Sequence, residues 1–276
     1  MNLYTKFKIH RYWPIYLLTI IITFVIKYIG RTNDSDALIW ILAPTARWAG
    51  VLSGISFEYL PHMGYVNHYH QFLIAPACSG TRFMVLTFLM CIFSFLYQIE
   101  DRRKGYLWFF FSITFSYIST IFVNGIRIIA SIFVPIQLES WKLMEGWLNQ
   151  DRLHTIIGTT VYFSSLFIIY LLTGFICRSV FISINMLPIL KSKDSTSKYF
   201  PAGNNAMSHS TWLNTIIVPS FWYLLMVLLL PLIKRIYLND WNGFGQYTTL
   251  VICTCSGIIL IMLLILMRYL IRVHRG

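Results

Sequence analysis

Charge is scarce in this chain. Of its 276 residues, 12% are Asp, Glu, Lys or Arg, against 57% that are hydrophobic. A soluble domain of this size usually carries about twice that charged fraction. So few charges cannot cover a water-exposed surface. An ordinary cytosolic enzyme, a disordered chain and a nucleic-acid-binding domain are excluded on that ground. Acidic residues are the scarcer kind, 10 against 22 basic ones. The intramembrane carboxylates of many ion-coupled transporters are missing. So are the HExxH, GxSxG and P-loop patterns, and no cofactor motif replaces them. The five cysteines (Cys78, Cys91, Cys177, Cys253, Cys255) form no disulfide framework. Cys253-Thr-Cys255 is too closely spaced for a usual zinc knuckle, and Cys91 and Cys177 sit in apolar runs as small hydrophobes.

What the chain does have is long apolar runs, at a mean hydropathy of +0.64. Crossing a bilayer takes about 20 such residues. Six runs qualify approximately: Trp13 to Ile29, Arg82 to Ile99, Tyr106 to Val123, Thr155 to Cys177, Trp212 to Ile233 and Thr248 to Leu270. The first lacks a small-residue cleavage site and reads as a retained anchor. A seventh run, Ala37 to Ile55, holds Pro44 and Arg47. Its Leu38, Ile41, Leu42, Trp48 and Leu52 suit an amphipathic helix in the interface, with a short span as the alternative. The expected fold is all-α: a polytopic transmembrane helical bundle of six or seven spans.

The net charge of +12 then reflects inner loops and anionic headgroups rather than nucleic acid. With an inner N-terminus, the inner segments hold most basic residues, although Lys234-Arg235 opposes the bias. Either span count puts Cys78 and the Asn124 to His154 segment on the outer side. Ser56 to Cys78 reads as a short hairpin or cap. Residues 191–211 are polar and read as a cytoplasmic linker. They divide a core, 1–190, from a two-span appendage, 212–276.

Three places carry reactive or charged groups. In Pro76-Ala77-Cys78-Ser79-Gly80-Thr81-Arg82, Gly80 permits a tight turn that sets Cys78 at the start of a helix. Unpaired N–H groups there favour an anion, and the thiolate is the nucleophilic form of cysteine. Arg82, four residues on, adds positive charge. The plainer alternative is an incidental loop cysteine. In Asn124-Gly125-Ile126-Arg127, the Asn and Arg share a helix face. A cation among apolar neighbours is functional or paired, unless it snorkels to headgroups. In Asp151-Arg152-Leu153-His154, the imidazole is the group best suited to moving protons near neutral pH; the alternative is a polar interfacial histidine. Converging from three span ends, Cys78, Arg127 and His154 suit acyl transfer through a thioester. His62, His68 and His70, with Glu58, form a weaker candidate for a metal, His68 and His70 sharing one strand face.

Ala77-Cys78-Ser79-Gly80, Asn124-Gly125-Ile126-Arg127 and His154 with Gly158 together resemble the exosortase/archaeosortase family over roughly Ala37 to Cys177. Thr81 departs mildly from the aliphatic residue usual there. The resemblance implies a membrane cysteine transpeptidase, sortase-like by convergence of chemistry. It implies Cys78, Arg127 and His154 as catalytic residues, with Asn124, Ser79, Gly80 and Arg82 supporting or binding substrate. It implies no metal and no cofactor. Implied partners are exported proteins with a C-terminal sorting signal (a short motif, a transmembrane helix and a basic tail), membrane lipid, and a lipid- or polysaccharide-linked acceptor. The implied location is the cell membrane, with the site facing out. A transporter or assembly factor for surface polymer export is the alternative of another class.

Overall fold

The computed structural model describes residues 11–31, 34–140, 148–182, 209–239, 241 and 243–275. Its helices follow the apolar runs. They are α1 (Trp13–Ile29), α2 (Ile39–Ser53), α3 (Thr81–Phe95), α4 (Arg102–Ser140), α5 (Gln150–Ile176), α6 (His209–Leu224), α7 (Leu230–Leu238) and α8 (Phe244–Arg275). A π-helical turn, Leu225–Leu229, joins α6 to α7. Five stretches are long and apolar enough to cross a membrane: Pro76–Gln98, Arg102–Glu139, Gln150–Phe181, Asn214–Leu238 and Phe244–Ile265. The 17-residue α1 is apolar and shorter. The expected linker falls outside the described residues, except for its last three, which lie in α6.

One element differs from the sequence expectation. The run Tyr106 to Val123 belongs to a single 39-residue helix, α4, which continues through Asn124, Gly125 and Arg127. At 1.5 Å per residue it is about 58 Å long, roughly twice the hydrocarbon thickness. Gly125 does not break it, because Trp48 packs where a side chain would stand: a Cβ there would lie 2.5 Å from Trp48 Cδ1. The doubtful run is a 15-residue helix, α2. It spans about 22 Å, less than a bilayer core of about 30 Å. Leu38, Ile41, Leu42, Ala46 and Ala49 are buried, whereas Leu52 is exposed. This apolar stripe joins Ile128 and Ile132 of α4 in one core cluster. The Tyr117 hydroxyl of α4 donates to the Trp40 carbonyl at 2.7 Å.

A second cluster joins Phe83, Leu86 and Met90 of α3 to Phe163, Leu166 and Phe167 of α5, and to Tyr223, Val251 and Cys255. The last two spans therefore pack on the core through α5. A third cluster closes the opposite end, where the Tyr12 hydroxyl donates to the Ile99 carbonyl at 2.9 Å. These aromatic contacts hold α3, α4 and α5 side by side, with α3 the most enclosed.

The cap expected before Cys78 is a three-stranded antiparallel sheet: β1 (Glu58–Leu60), β2 (Gly64–Asn67) and β3 (Phe72–Ile74), in that order. It is clasped to the start of α2. Asp36 accepts from the Tyr59 hydroxyl and, at 3.1 Å, from the His62 backbone N–H. These two bonds, the tyrosine's first, hold the Asp36 carboxyl below its usual range. A carboxyl lowered by folding contributes above its unfolded value of about 3.9 and is lost as pH falls through the folded one. Amide hydrogen exchange over 58–67 should therefore accelerate below about pH 4. Asp36→Asn should give the faster exchange already at neutral pH; unchanged protection in that variant contradicts the clasp.

Candidate active site

The sequence of turns before α3 sets Cys78. Ala75-Pro76 leads into a short 3-10 turn, Pro76–Cys78, closed by the Cys78 N–H on the Ala75 carbonyl at 2.8 Å. Ser79 follows, and then Gly80 at φ 75°, a left-handed conformation that admits glycine without strain. Gly80 also lies close against α4. A Cβ there would meet Thr120 Cγ2 at 3.0 Å and Asn124 Cγ and Nδ2 at 3.1 Å. The tight turn read from the sequence is present, and it brings the cysteine segment against Asn124. Ser79 is buried and bonds Thr81 at 3.3 Å. The hydroxyl of Thr81 thus completes a polar pair that an aliphatic residue would leave open.

Cys78 is half-buried. Its thiol is an electrostatic neighbour of the Arg127 guanidinium. Asn124 Nδ2 donates to the Cys78 carbonyl at 2.6 Å. Asn124 is fully buried and Arg127 is 8% exposed. A buried guanidinium is costly unless it is fully partnered. Arg127 Nη2 lies 2.7 Å from His154 Nε2, and Nη1 lies 3.2 Å from the Tyr162 hydroxyl. None of the ion pairs among the described residues includes Arg127. Since guanidinium only donates, His154 Nε2 accepts and Nδ1 carries the proton of the neutral ring.

His154 is exposed, one turn into α5. That turn is secured by Asn149, whose side chain accepts from the Arg152 N–H at 2.9 Å. Gly158, one turn on, lies beside the guanidinium: a Cβ there would stand in ordinary contact, 3.4 Å from Arg127 Nε. Cys78, Arg127 and His154 therefore meet as a chain with arginine in the middle. Asn124 and Gly80 belong to the same cluster. Arg82 does not: it is exposed, with Tyr247 of α8 and Lys27 of α1 as electrostatic neighbours.

Tyr162 was not singled out from the sequence. Its hydroxyl donates to Asn124 Oδ1 at 2.7 Å. Its ring stacks on Phe83 at 4.7 Å and lies 5.3 Å from the Arg127 guanidinium carbon. The available signal was its position eight residues after His154, two turns along one helix face.

The three histidines before Cys78 do not converge. His68 and His70 lie in the turn between β2 and β3, not on a strand. His68 Nε2 is 3.6 Å from Glu58 Oε2, while His70 packs on Tyr69 and Phe133. His62 instead joins Asp34 and Asp36, with ligand atoms within 4.8 Å of one another, all on the surface. His62 pairs with both carboxylates, at 3.2 and 3.3 Å. The group serves the clasp described above.

Gly80→Ala should strain the backbone by about 1–2 kcal/mol in the left-handed region and push on Asn124. The expected result is a lower thermal midpoint in detergent. Gly245→Ala, where no atom stands within 4 Å of the new Cβ, should not lower it. Equal midpoints for wild type and Gly80→Ala would contradict the packing described.

Residues 7–171 match the family model described as Transmembrane exosortase (Exosortase_EpsH). The match takes in α1 to α5 almost entirely and stops before the last two spans. No curated protein and no solved structure matches.

Proposed function

We propose, for a chain that belongs to the transmembrane exosortase family, the role of a membrane cysteine transpeptidase acting at the outer face of the cell membrane. Its substrates are exported proteins that end in a sorting signal, made of a short motif, a transmembrane helix and a basic tail. The product passes to water or to a lipid- or polysaccharide-linked acceptor. One observation carries the reading. A buried guanidinium, with no acidic side chain in an ion pair to it, lies 2.7 Å from His154 Nε2 and has the Cys78 thiol as an electrostatic neighbour. Such a charge stabilises a thiolate, and later the oxyanion that the thiolate creates.

The reaction follows from these roles. On substrate binding Arg127 turns its donation from His154 Nε2 to the scissile carbonyl oxygen, which frees Nε2 to take the Cys78 proton. The thiolate sulfur adds to the carbonyl carbon, and Arg127 faces the oxyanion that forms. The C–N bond then breaks. His154 gives its proton to the departing amine, and a thioester remains on Cys78. In the second half His154 takes a proton from the acceptor, whose oxygen or nitrogen adds to the thioester. The C–S bond breaks and the thiol is restored. Asn124 holds the Cys78 main chain, and the exposed edge of His154 meets the leaving group and the acceptor in turn. A substrate helix reaches the site sideways from the lipid, alongside α4 and α5.

The test is conversion of an epitope-tagged secreted protein carrying such a tail, co-expressed with this chain. Wild type should yield the shortened product. Cys78→Ala should leave only precursor while inserting at normal levels. Arg127→Ala and His154→Ala should slow conversion by about 100-fold or more, the usual loss for a general acid–base or oxyanion group. Normal conversion by Cys78→Ala would remove the reading and favour a non-enzymatic role.

A further inference from the structure

Four polar groups run in one direction from the buried arginine to the cysteine main chain. Arg127 Nη1 lies 3.2 Å from the Tyr162 oxygen. The Tyr162 hydroxyl lies 2.7 Å from Asn124 Oδ1. Asn124 Nδ2 lies 2.6 Å from the Cys78 carbonyl oxygen. An arginine has only donors and a carbonyl only acceptors, whereas a tyrosine hydroxyl offers one donor and accepts as well. The direction of the chain is therefore forced. Arg127 must donate to the tyrosine oxygen, which leaves the single phenolic hydrogen for Asn124. That hydrogen requires the amide oxygen to face α5, so the NH2 group faces Cys78. With the amide turned over, two donors would meet at Tyr162 and two acceptors at Cys78. Each such mismatch in a buried site costs about 1–3 kcal/mol.

We propose that Tyr162 is a positioning residue that sets the orientation of the Asn124 amide and, through it, pins the Cys78 carbonyl with the thiol turned to Arg127. This rests on the transpeptidase reading for its consequence in turnover, and on contacts alone for its effect at the thiol. The ring has a separate task. Its stack on Phe83, in α3 and five residues after Cys78, fixes the distance between α3 and α5. Removing only the oxygen therefore isolates the directional effect from the packing. Hydrogen bonds in a chain polarise one another, so one oxygen at its centre affects both ends.

The experiment compares Tyr162→Phe, Asn124→Ala and the double variant in membranes of the full chain. Two rates are read: conversion of the tagged substrate, and carbamidomethylation of Cys78 by iodoacetamide, followed at that site by mass spectrometry. Tyr162→Phe should lower maximal conversion by about tenfold at unchanged half-saturating substrate, the scale of one lost buried hydrogen bond. It should slow alkylation of Cys78 by about threefold or more on the same ground. The double variant should be no slower than Asn124→Ala alone, because both act through one bond. Tyr170→Phe, whose ring packs on Phe95 farther along α5, should match wild type. Losses that multiply in the double variant would overturn the proposal, and so would a Tyr162→Phe chain with both rates unchanged. If substrate conversion fails to depend on Cys78 at all, the transpeptidase reading falls. The alkylation rates then still decide whether Tyr162 governs the cysteine.

Discussion

A charge removed from water must be answered by its surroundings, and the arrangement of this protein turns on how Arg127 is answered. Moving a charged group into an apolar interior costs several kcal/mol even after relaxation. No ion pair among the described residues offsets that cost for Arg127. The answer is a set of neutral groups drawn from separate helices: Asn124 from its own, and Tyr162 and His154 from α5, with the Cys78 thiol, in the turn before α3, as an electrostatic neighbour. Neutral acceptors solvate a cation without cancelling it. The site keeps a net positive field where a carboxylate would have removed it, which suits the thiolate and oxyanion of the proposed reaction.

That solution demands close approach of backbones. Gly80 lets the cysteine turn touch Asn124, and Gly125 lets Trp48 of α2 lie against α4. The length of α4 follows from the same need. Arg127 is carried on an unbroken helix, so its backbone is satisfied within the helix and only the side chain needs partners. Helices carry arginine, histidine and tyrosine, while Cys78, the proposed nucleophile, sits on a short turn held by Asn124. The division suits a site in which the charged frame is fixed and the reacting atom is accessible.

Much of this was legible in the sequence, for physical reasons. Hydropathy marked every apolar helix, because a segment in lipid must be both long and uncharged. Cys78, Arg127 and His154 stood out because reactive or charged groups are conspicuous against apolar neighbours. Asn124 and Gly80 came with them through local spacing. The remainder depended on contacts between distant segments. Tyr162 is one aromatic among many in an aromatic-rich chain, and only packing on Phe83 distinguishes it. Arg82 is close to Cys78 in sequence, yet the helix turns it outward. Arg127 was legible as a member of the site but not as its middle, since periodicity orders residues along one helix and not across three. His62 found Asp34 and Asp36 rather than His68 and His70 because the sheet reverses the chain between them.

The central claim is that Arg127 is the charge partner of an outward-facing Cys78. The most direct measurement is the rate at which a membrane-impermeant maleimide labels Cys78 in oriented vesicles, comparing wild type with Arg127→Gln at neutral pH and read at Cys78 by mass spectrometry. The account predicts labelling from the outer face, slowed by about tenfold or more when the guanidinium is replaced, the scale of one charge-assisted hydrogen bond. Labelling at the same rate in both chains, or only from the inner face, would contradict it.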